Sequence, residues 1–446
     1  MNIVIAGAGE VGFHLSNMLS KEAQNIIVVD LDEEKLQGIT NHMDVMTVEG
    51  SAISIESLEE AQIKDADLFI AVTSSEEINI SACIFAKSLG AKRTICRIAN
   101  HEYLDCKKKV NFENLGIDHL IYPEEIAAEE IHRLILNPQM SESHDFSGGK
   151  MSLVGIVLEE NAPTINKSLI EVVAENPNFN CNAVAIHRAD ETLIPRGNTV
   201  FLPGDHVYFI CPPSEIERLM ELSGKNDFEV KNVMILGGSK MGYHTASFLE
   251  NTHKVKLIEK DKNKAFNFAD KLKNTLVLHG DCNDSRFLED EGIKDMDAFI
   301  AVTGNAETNI IACLMAKKYG VQKTIAGVNN IEYLDLSQNL GIDTLINKKF
   351  IAASKILKFI RKGDIMDITS LPSADAEVLE FKAKTGSKIT KKKVMDLGFP
   401  STAIIGGIIR KQESVVASGN MQIEAGDEVI VFALPEAISK VEKFFK

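Results

Sequence analysis

No Cys-x-x-C pair occurs among the seven cysteines, and no group of Cys, His, Asp or Glu shows metal-ligand spacing. An odd, scattered set of this kind reads as reduced thiols, which excludes a disulfide framework and a structural metal site. Basic excess is missing too: 48 Lys and Arg face 64 Asp and Glu, for a formal charge of −16. Nucleic acid is therefore excluded as a partner, because phosphate-backbone binding draws on clustered Lys and Arg. The one basic run, Lys107-Lys-Lys109, reads as a solvated helix end. Apolar runs stop short of the length a membrane span needs. Strand residues begin directly after Met1, leaving no room for a signal peptide, so the expected location is the cytoplasm.

What is present is a strand followed by a glycine turn. Ile3 to Ala6 is an apolar run, and Gly7, Gly9 and Gly12 then complete G-x-G-x-x-G with Ala8, Glu10 and Val11 between them. In such a turn the first glycine permits the bend, the second lets backbone approach a pyrophosphate, and the third lets helix and strand pack closely. The phosphates would rest on free N–H groups at the helix N-terminus. A second apolar run, Ile26 to Val29, ends in Asp30. Its distance from the turn is close to the roughly 20 residues expected of a carboxylate that accepts from ribose hydroxyls. The unit is then complete: strand, glycine turn, helix, strand, acid.

The chain repeats itself. Ile63-Lys-Asp-Ala-Asp-Leu-Phe-Ile-Ala-Val-Thr73 recurs as Ile293-Lys-Asp-Met-Asp-Ala-Phe-Ile-Ala-Val-Thr303, and His101-Glu-Tyr-Leu104 as Ile331-Glu-Tyr-Leu334. Asn79, Cys83 and Lys87 return as Asn309, Cys313 and Lys317; the paired cysteines suit small buried packing positions. The glycine turn itself returns as Gly237-Gly-Ser-Lys-Met-Gly242. Strands are expected in the first lobe near 2–6, 26–30, 45–49, 67–72, 94–97 and 119–122, with helices between them, the pattern of a parallel α/β sheet. A last helix starts at Pro123, and its apolar positions Ile126, Ala127, Ile131, Leu134 and Ile135 fit either their own sheet or a partner lobe.

Met140 to Gly149 reads as a linker. A smaller lobe follows, with strands at Val154 to Leu158, Val184 to His187 and Val207 to Cys211, and a helix from Ser214 to Leu222. It also recurs: Arg188, Gly197, Gly204, Asp205 and Pro213 match Arg410, Gly419, Gly426, Asp427 and Pro435 at constant spacing. The expected fold class is α/β: two Rossmann-like doubly wound parallel-sheet lobes, each followed by a small α+β lobe. The domains are set at 1–138, 139–225, 226–362 and 363–446.

Two such units in tandem resemble the TrkA family, peripheral subunits of Trk potassium-uptake systems whose units are RCK domains, the regulators of potassium conductance. The resemblance covers essentially the whole chain. It implies a ring, a tetramer in the family, attached to the inner face of the membrane through a Trk-type potassium-transporting subunit, with NAD(H) or ATP/ADP binding that gates ion flow. Gly7, Gly9, Gly12 and Asp30 match the family's nucleotide motif. Thr73, at the fourth strand end, faces the crevice where ligands of open α/β sheets sit. Arg97, at the fifth, reads either as a phosphate donor or as a solvated or ion-paired side chain. Gly50-Ser51 departs from the Gly-Asp pair usual at the third strand end of such lobes.

The second unit keeps Gly237, Gly242 and the pair Gly280-Asp281, but Ser239 replaces the middle glycine, Glu259 replaces the aspartate, and Gly327 stands for Arg97. Two unequal sites are expected. His14 and His244, in the first helical turn near the phosphates, invite a catalytic reading, but with no acid partner nearby in sequence they read as packing residues; Arg188 and Arg410 read as surface residues or holders of a regulatory anion. An NAD-dependent dehydrogenase is the alternative. It would need an acid–base residue beside the nicotinamide, and the small lobes show no His…Asp constellation in sequence. A DNA-binding repressor would need a helix-turn-helix and a basic face. The expectation is a regulator without catalytic residues.

Overall fold

The structure is a computed structural model. It describes all residues except 21–23, 107–108, 190, 226–227, 282–283, 331–332, 334–340, 361–364 and 372–373, and excludes the side chain of residue 358. The first two lysines of the basic run and most of the second copy of the Glu-Tyr-Leu motif therefore lie outside the described residues.

In the first lobe, β1 (Asn2–Ala6), β2 (Asn25–Asp30), β3 (Met46–Glu49), β4 (Leu68–Ala71), β5 (Thr94–Arg97) and β6 (His119–Ile121) form one sheet in the order β3-β2-β1-β4-β5-β6. Every described pairing in it is parallel. The apolar runs are continuous because both faces are covered. Ile3, Ile5, Ile26 and Val28 enter one core, while Val4, Ala6, Ile27 and Val29 enter the other. The helix Glu10–Ser20 lies on the first face and Glu76–Leu89 on the second. The chain thus leaves β1 and β4 to opposite sides, which opens a crevice at their carboxyl ends.

A helix from the far half of the chain completes the first face. Ala352, Ala353, Ile356, Leu357 and Ile360 form one stripe of the helix Lys348–Ile360 and are buried in the core containing Leu15 and Leu19. The compact unit is accordingly 1–127 with 348–361. The helix Pro123–Leu136 behaves in the corresponding way: from Ala128 onward it belongs to the other unit, where Ile131, Leu134 and Ile135 are buried and His132 packs 6.0 Å from Phe248. Both readings of this helix hold in part, since Ile126 packs against the core of its own lobe.

In the other unit half of the segment taken as a linker is strand. β7 (Glu142–Phe146) pairs antiparallel with β8 (Met151–Val157), and Ser147, Gly148 and Gly149 make the turn at φ 48°, 68° and 86°. The Ser-Gly-Gly composition marked a hairpin turn, and Phe146 anchors the strand in the core. β9 (Asn182–Arg188), β10 (Glu191–Leu193) and β11 (His206–Cys211) complete an antiparallel sheet in the order β10-β9-β11-β8-β7.

The second Rossmann-like lobe repeats the first: β12 (Asn232–Leu236), β13 (Lys254–Glu259), β14 (Thr275–His279), β15 (Ala298–Ala301), β16 (Lys323–Gly327) and β17 (Thr344–Ile346) lie in the order β14-β13-β12-β15-β16-β17. The last sheet holds β18 (Ile365–Leu371), β19 (Ala376–Lys382), β20 (Ala403–Arg410), β21 (Glu413–Val416) and β22 (Glu428–Ala433), ordered β18-β19-β22-β20-β21. The two small sheets share a core in which Met151, Tyr208 and Ile210 meet Val378, Ile430 and Phe432. No helix among the described residues is long and apolar enough to cross a membrane.

Candidate nucleotide-binding site

The glycine turn sits at the mouth of the crevice. Gly7 has φ +114°, and its N–H donates to the Val29 carbonyl at 2.8 Å. A Cβ at Gly7 would lie 2.9 Å from the Thr73 nitrogen, and one at Gly12 only 1.8 Å from the Gly7 oxygen. At Gly9 a Cβ would meet nothing within 4 Å. Gly7 and Gly12 are therefore required by the protein's own packing, whereas Gly9 is required by nothing inside the lobe. That is the pattern of a turn whose middle glycine leaves room for a ligand. Ala8 and Val11 have buried side chains, so only their backbone faces the turn.

Asp30 closes the other side. Its Oδ2 accepts from Ala8 N–H at 2.5 Å and its Oδ1 from Asp32 N–H at 3.0 Å, which fixes the carboxylate beside the turn. Across the crevice, Thr73 N–H donates to Asn79 Oδ1 at 2.9 Å, and Asn79 Nδ2 donates to the Arg97 carbonyl at 2.9 Å. Asn79 is buried and ties the ends of β4 and β5 together. Its recurrence in the repeat was visible in the sequence; its role was not, because it acts between strands. Arg97 is half-buried and extends Nη1 to 3.5 Å from the Thr73 carbonyl, across the crevice. The structure thus brings Gly7 to Gly12, Asp30, Thr73 and Arg97 to one edge of the sheet. Gly50 is there as well, its N–H on the Asp30 carbonyl at 2.9 Å.

The second turn keeps the frame and changes the mouth. Gly237 has φ +105°, and a Cβ at Gly242 would lie 2.1 Å from the Gly237 oxygen. Thr303 N–H again donates to Asn309 Oδ1 at 2.9 Å, with Asn309 Nδ2 on the Gly327 carbonyl at 2.7 Å. Ser239, however, caps the helix Lys240–Leu249, its Oγ accepting from Gly242 N–H at 3.1 Å. A side chain thereby takes a helix-terminal donor that a phosphate would use. A Cβ at Gly238 would fall 2.5 Å from Glu259 Oε2 and 2.6 Å from Phe268 Cε2, so Glu259 and the Phe268 ring crowd this turn. Phe268 is held there by stacking on Tyr243 at 5.4 Å. Asp281 pairs with Lys260 at 2.8 Å.

Several single residues acquire partners that the sequence did not show. Arg188 and Arg410 are each paired with a carboxylate. Arg188 binds Asp205 through Nε and Nη2, both at 2.6 Å, and Arg410 binds Asp427 at 3.0 and 2.7 Å. Each aspartate is buried and also accepts a turn N–H, from Leu202 or Glu424 at 2.8 Å, so the repeated pair clamps the Gly-Asp turn. A His–Asp pair does exist between the small sheets, with His144 Nε2 3.3 Å from Asp367 Oδ2, a proximity the sequence separation concealed. His14 packs on Phe350 at 4.7 Å and His244 on Tyr243 at 5.3 Å, consistent with packing roles. Cys83 and Cys313 are buried, and burial pushes both thiols above their usual range.

A duplicated parallel-sheet lobe with a glycine turn, each copy followed by an antiparallel lobe, defines a tandem RCK-type protein. The TrkA-N domain family matches residues 3–123 and 233–348, and the TrkA-C domain family matches 153–224 and 378–446. The chain belongs to the TrkA family. A Trk system potassium uptake protein TrkA from Halomonas elongata is 34% identical over 451 residues, spanning 100% of this chain and 99% of that protein. One from Haemophilus influenzae is 34% identical over 452 residues, again with 100% and 99% covered. Among solved structures, the GsuK channel bound to NAD superposes with a TM-score of 0.60 at 16% identity, covering 100% of this chain and 78% of that one. The GsuK RCK domain gives 0.60 at 16%, with 100% and 94% covered.

Proposed function

We propose that this protein is a cytoplasmic regulatory subunit that attaches peripherally to a Trk-type membrane potassium transporter and gates it in response to a bound nucleotide. The potassium role comes from the full-length relatives, which carry the name Trk system potassium uptake protein. The nucleotide role rests on one observation: Gly9 is the member of the triad that the lobe's own packing does not require, and it lies between Ala8, whose N–H Asp30 accepts, and the start of a helix.

NAD(H), ATP and ADP all fit this chemistry. Each carries an adenosine ribose for Asp30 and phosphates for the turn, with Thr73 and Arg97 facing them. When such a ligand is bound, the N–H groups of the first helical turn would hold its phosphates, while Ala8 N–H keeps the Asp30 carboxylate in place. A 2′-phosphate would meet the Asp30 carboxylate, which disfavours NADP. In the second lobe, Gly237, Gly242, Glu259 and Asp281 frame a weaker site. The role is binding without turnover, in a homo-oligomeric ring whose repeating segments are 1–138, 139–225, 226–362 and 363–446. A dehydrogenase is disfavoured by the full-length relatives, which are named as potassium uptake proteins.

Thermal-shift and calorimetric titration with NAD, NADH, ATP and ADP tests this reading. At least one should bind the wild-type chain, with a strong component removed by Gly9→Val. Binding that Gly9→Val leaves intact would move the site elsewhere, and hydride turnover with any substrate would restore the dehydrogenase reading.

A further inference from the structure

The helix Lys348–Ile360 opens with two lysines and no acid in its first turn. Cations at that end oppose the helix dipole, so their placement calls for a reason. Both have carboxylate partners in the first lobe. Lys348 Nζ lies 2.9 Å from Glu124 Oε1, whose side chain is nearly buried. Lys349 Nζ lies 2.6 Å from Glu10 Oε2, whose side chain is 55% exposed. Phe350, next in the chain, packs on His14, and at the helix's other end Arg93 Nη1 donates to the Phe359 carbonyl at 2.7 Å. The helix is therefore fixed at both ends and along its apolar stripe, and Lys349 is held where it meets Glu10.

Glu10 is the first residue of the helix that begins at the glycine turn. Its carboxylate lies in the first turn, near the positive pole that a phosphate would use, and it would repel an arriving polyphosphate. We propose that Lys349 is a phosphate-reading residue of the first site: it neutralises Glu10 while the site is free, and transfers its ammonium to the pyrophosphate oxygens of a bound nucleotide. This rests on the nucleotide reading given above. The exchange is favourable in physical terms. An ion pair as exposed as Glu10–Lys349 contributes little, whereas an ammonium on a phosphate makes a charge-assisted bond. Lysine suits the task, because its flexible stem carries a compact charge between two acceptors. Glu124, nearly buried, keeps its pair with Lys348 and holds the helix registered while Lys349 moves. The first site then includes a residue from the far half of the chain, and the charge it reads is that of the phosphates, not of the base or sugar.

Calorimetry on the full chain tests the exchange, with ADP titrated directly and adenosine measured by displacement of ADP. The component lost in Gly9→Val identifies the first site. Lys349→Met should weaken ADP at that site about tenfold, as expected for a lost charge-assisted contact. It should leave adenosine unchanged and make the salt dependence of ADP affinity shallower. Glu10→Gln should tighten ADP, and Lys349→Arg should retain most of the affinity. Equal losses for ADP and adenosine in Lys349→Met, or no loss for ADP, would overturn the exchange while leaving the nucleotide site standing. A wild-type chain with no component sensitive to Gly9→Val would overturn both.

Discussion

Gly9 and Gly12 belong to one motif, yet the space around them differs completely. A Cβ at Gly12 would overlap the Gly7 carbonyl at 1.8 Å, while one at Gly9 meets no atom within 4 Å. Gly12→Val is therefore expected to cost several kcal/mol, about 3 or more, because backbone must move to admit the side chain. Gly9→Val is expected to leave stability within about 1 kcal/mol, as for substitutions away from packed features. Urea unfolding of the two variants checks this, and comparable losses in both would contradict it. The distinction also decides which variant reports on binding, since a Gly12 substitution confounds ligand loss with unfolding. The glycines and Asp30 were legible in the sequence because a tight turn and a strand end are local constraints. The Arg188–Asp205 and Arg410–Asp427 clamps were visible only as recurring letters, since the partners are brought together by folding.

Among the elements, strand positions could be read closely because buried parallel strands are continuous apolar runs. β7 was missed where a Ser-Gly-Gly turn was taken for a linker, and the helix Leu169–Glu175 was missed although Ser168 and Glu171 form its capping box. Exchange of helices left no unambiguous signal, since an apolar stripe does not say which sheet it covers. The structure shows how the exit of one exchanged helix is held. Lys323, at the start of β16, is fully buried and donates to the Met140 carbonyl at 2.7 Å, just beyond the helix Pro123–Leu136. Burial lowers its pKa to about 8, only partly opposed by Asp343. A lysine binds a proton in the unfolded chain up to its ordinary value of 10.5, so between about pH 8 and 10.5 the unfolded state holds more protons. Stability contributed by this group therefore rises with pH across that window, by an amount on the order of 3 kcal/mol. Thermal melts of wild type and Lys323→Met across this range should diverge, with wild type gaining on the variant as pH rises. A constant difference would mean that Lys323 is not buried as described.

For the whole molecule, the four-lobe order could be read because repeats survive as strings of matching residues, and the difference between the two turns was expected from Ser239, Glu259 and Gly327, but its physical form needed side-chain positions. Ser239 was evident as a substitution, but the crowding of Gly238 by Glu259 and Phe268 was not, since it depends on the helix Lys262–Lys271. The proposed regulation is a shift of populations: a nucleotide moves a gate only by binding one arrangement of the protein better than another. Taking a gate from mostly closed to mostly open requires about 5.5 kcal/mol of differential binding, an amount several first-lobe sites in one ring can share. The most direct measurement is potassium flux through the Trk-type membrane subunit reconstituted with this protein, with NAD, NADH, ADP or ATP added. At least one nucleotide should change the flux with the wild-type protein, and the change should be lost with Gly9→Val. An unchanged flux with all four nucleotides, or an equal response in the variant, would contradict a regulator that acts through the first glycine turn.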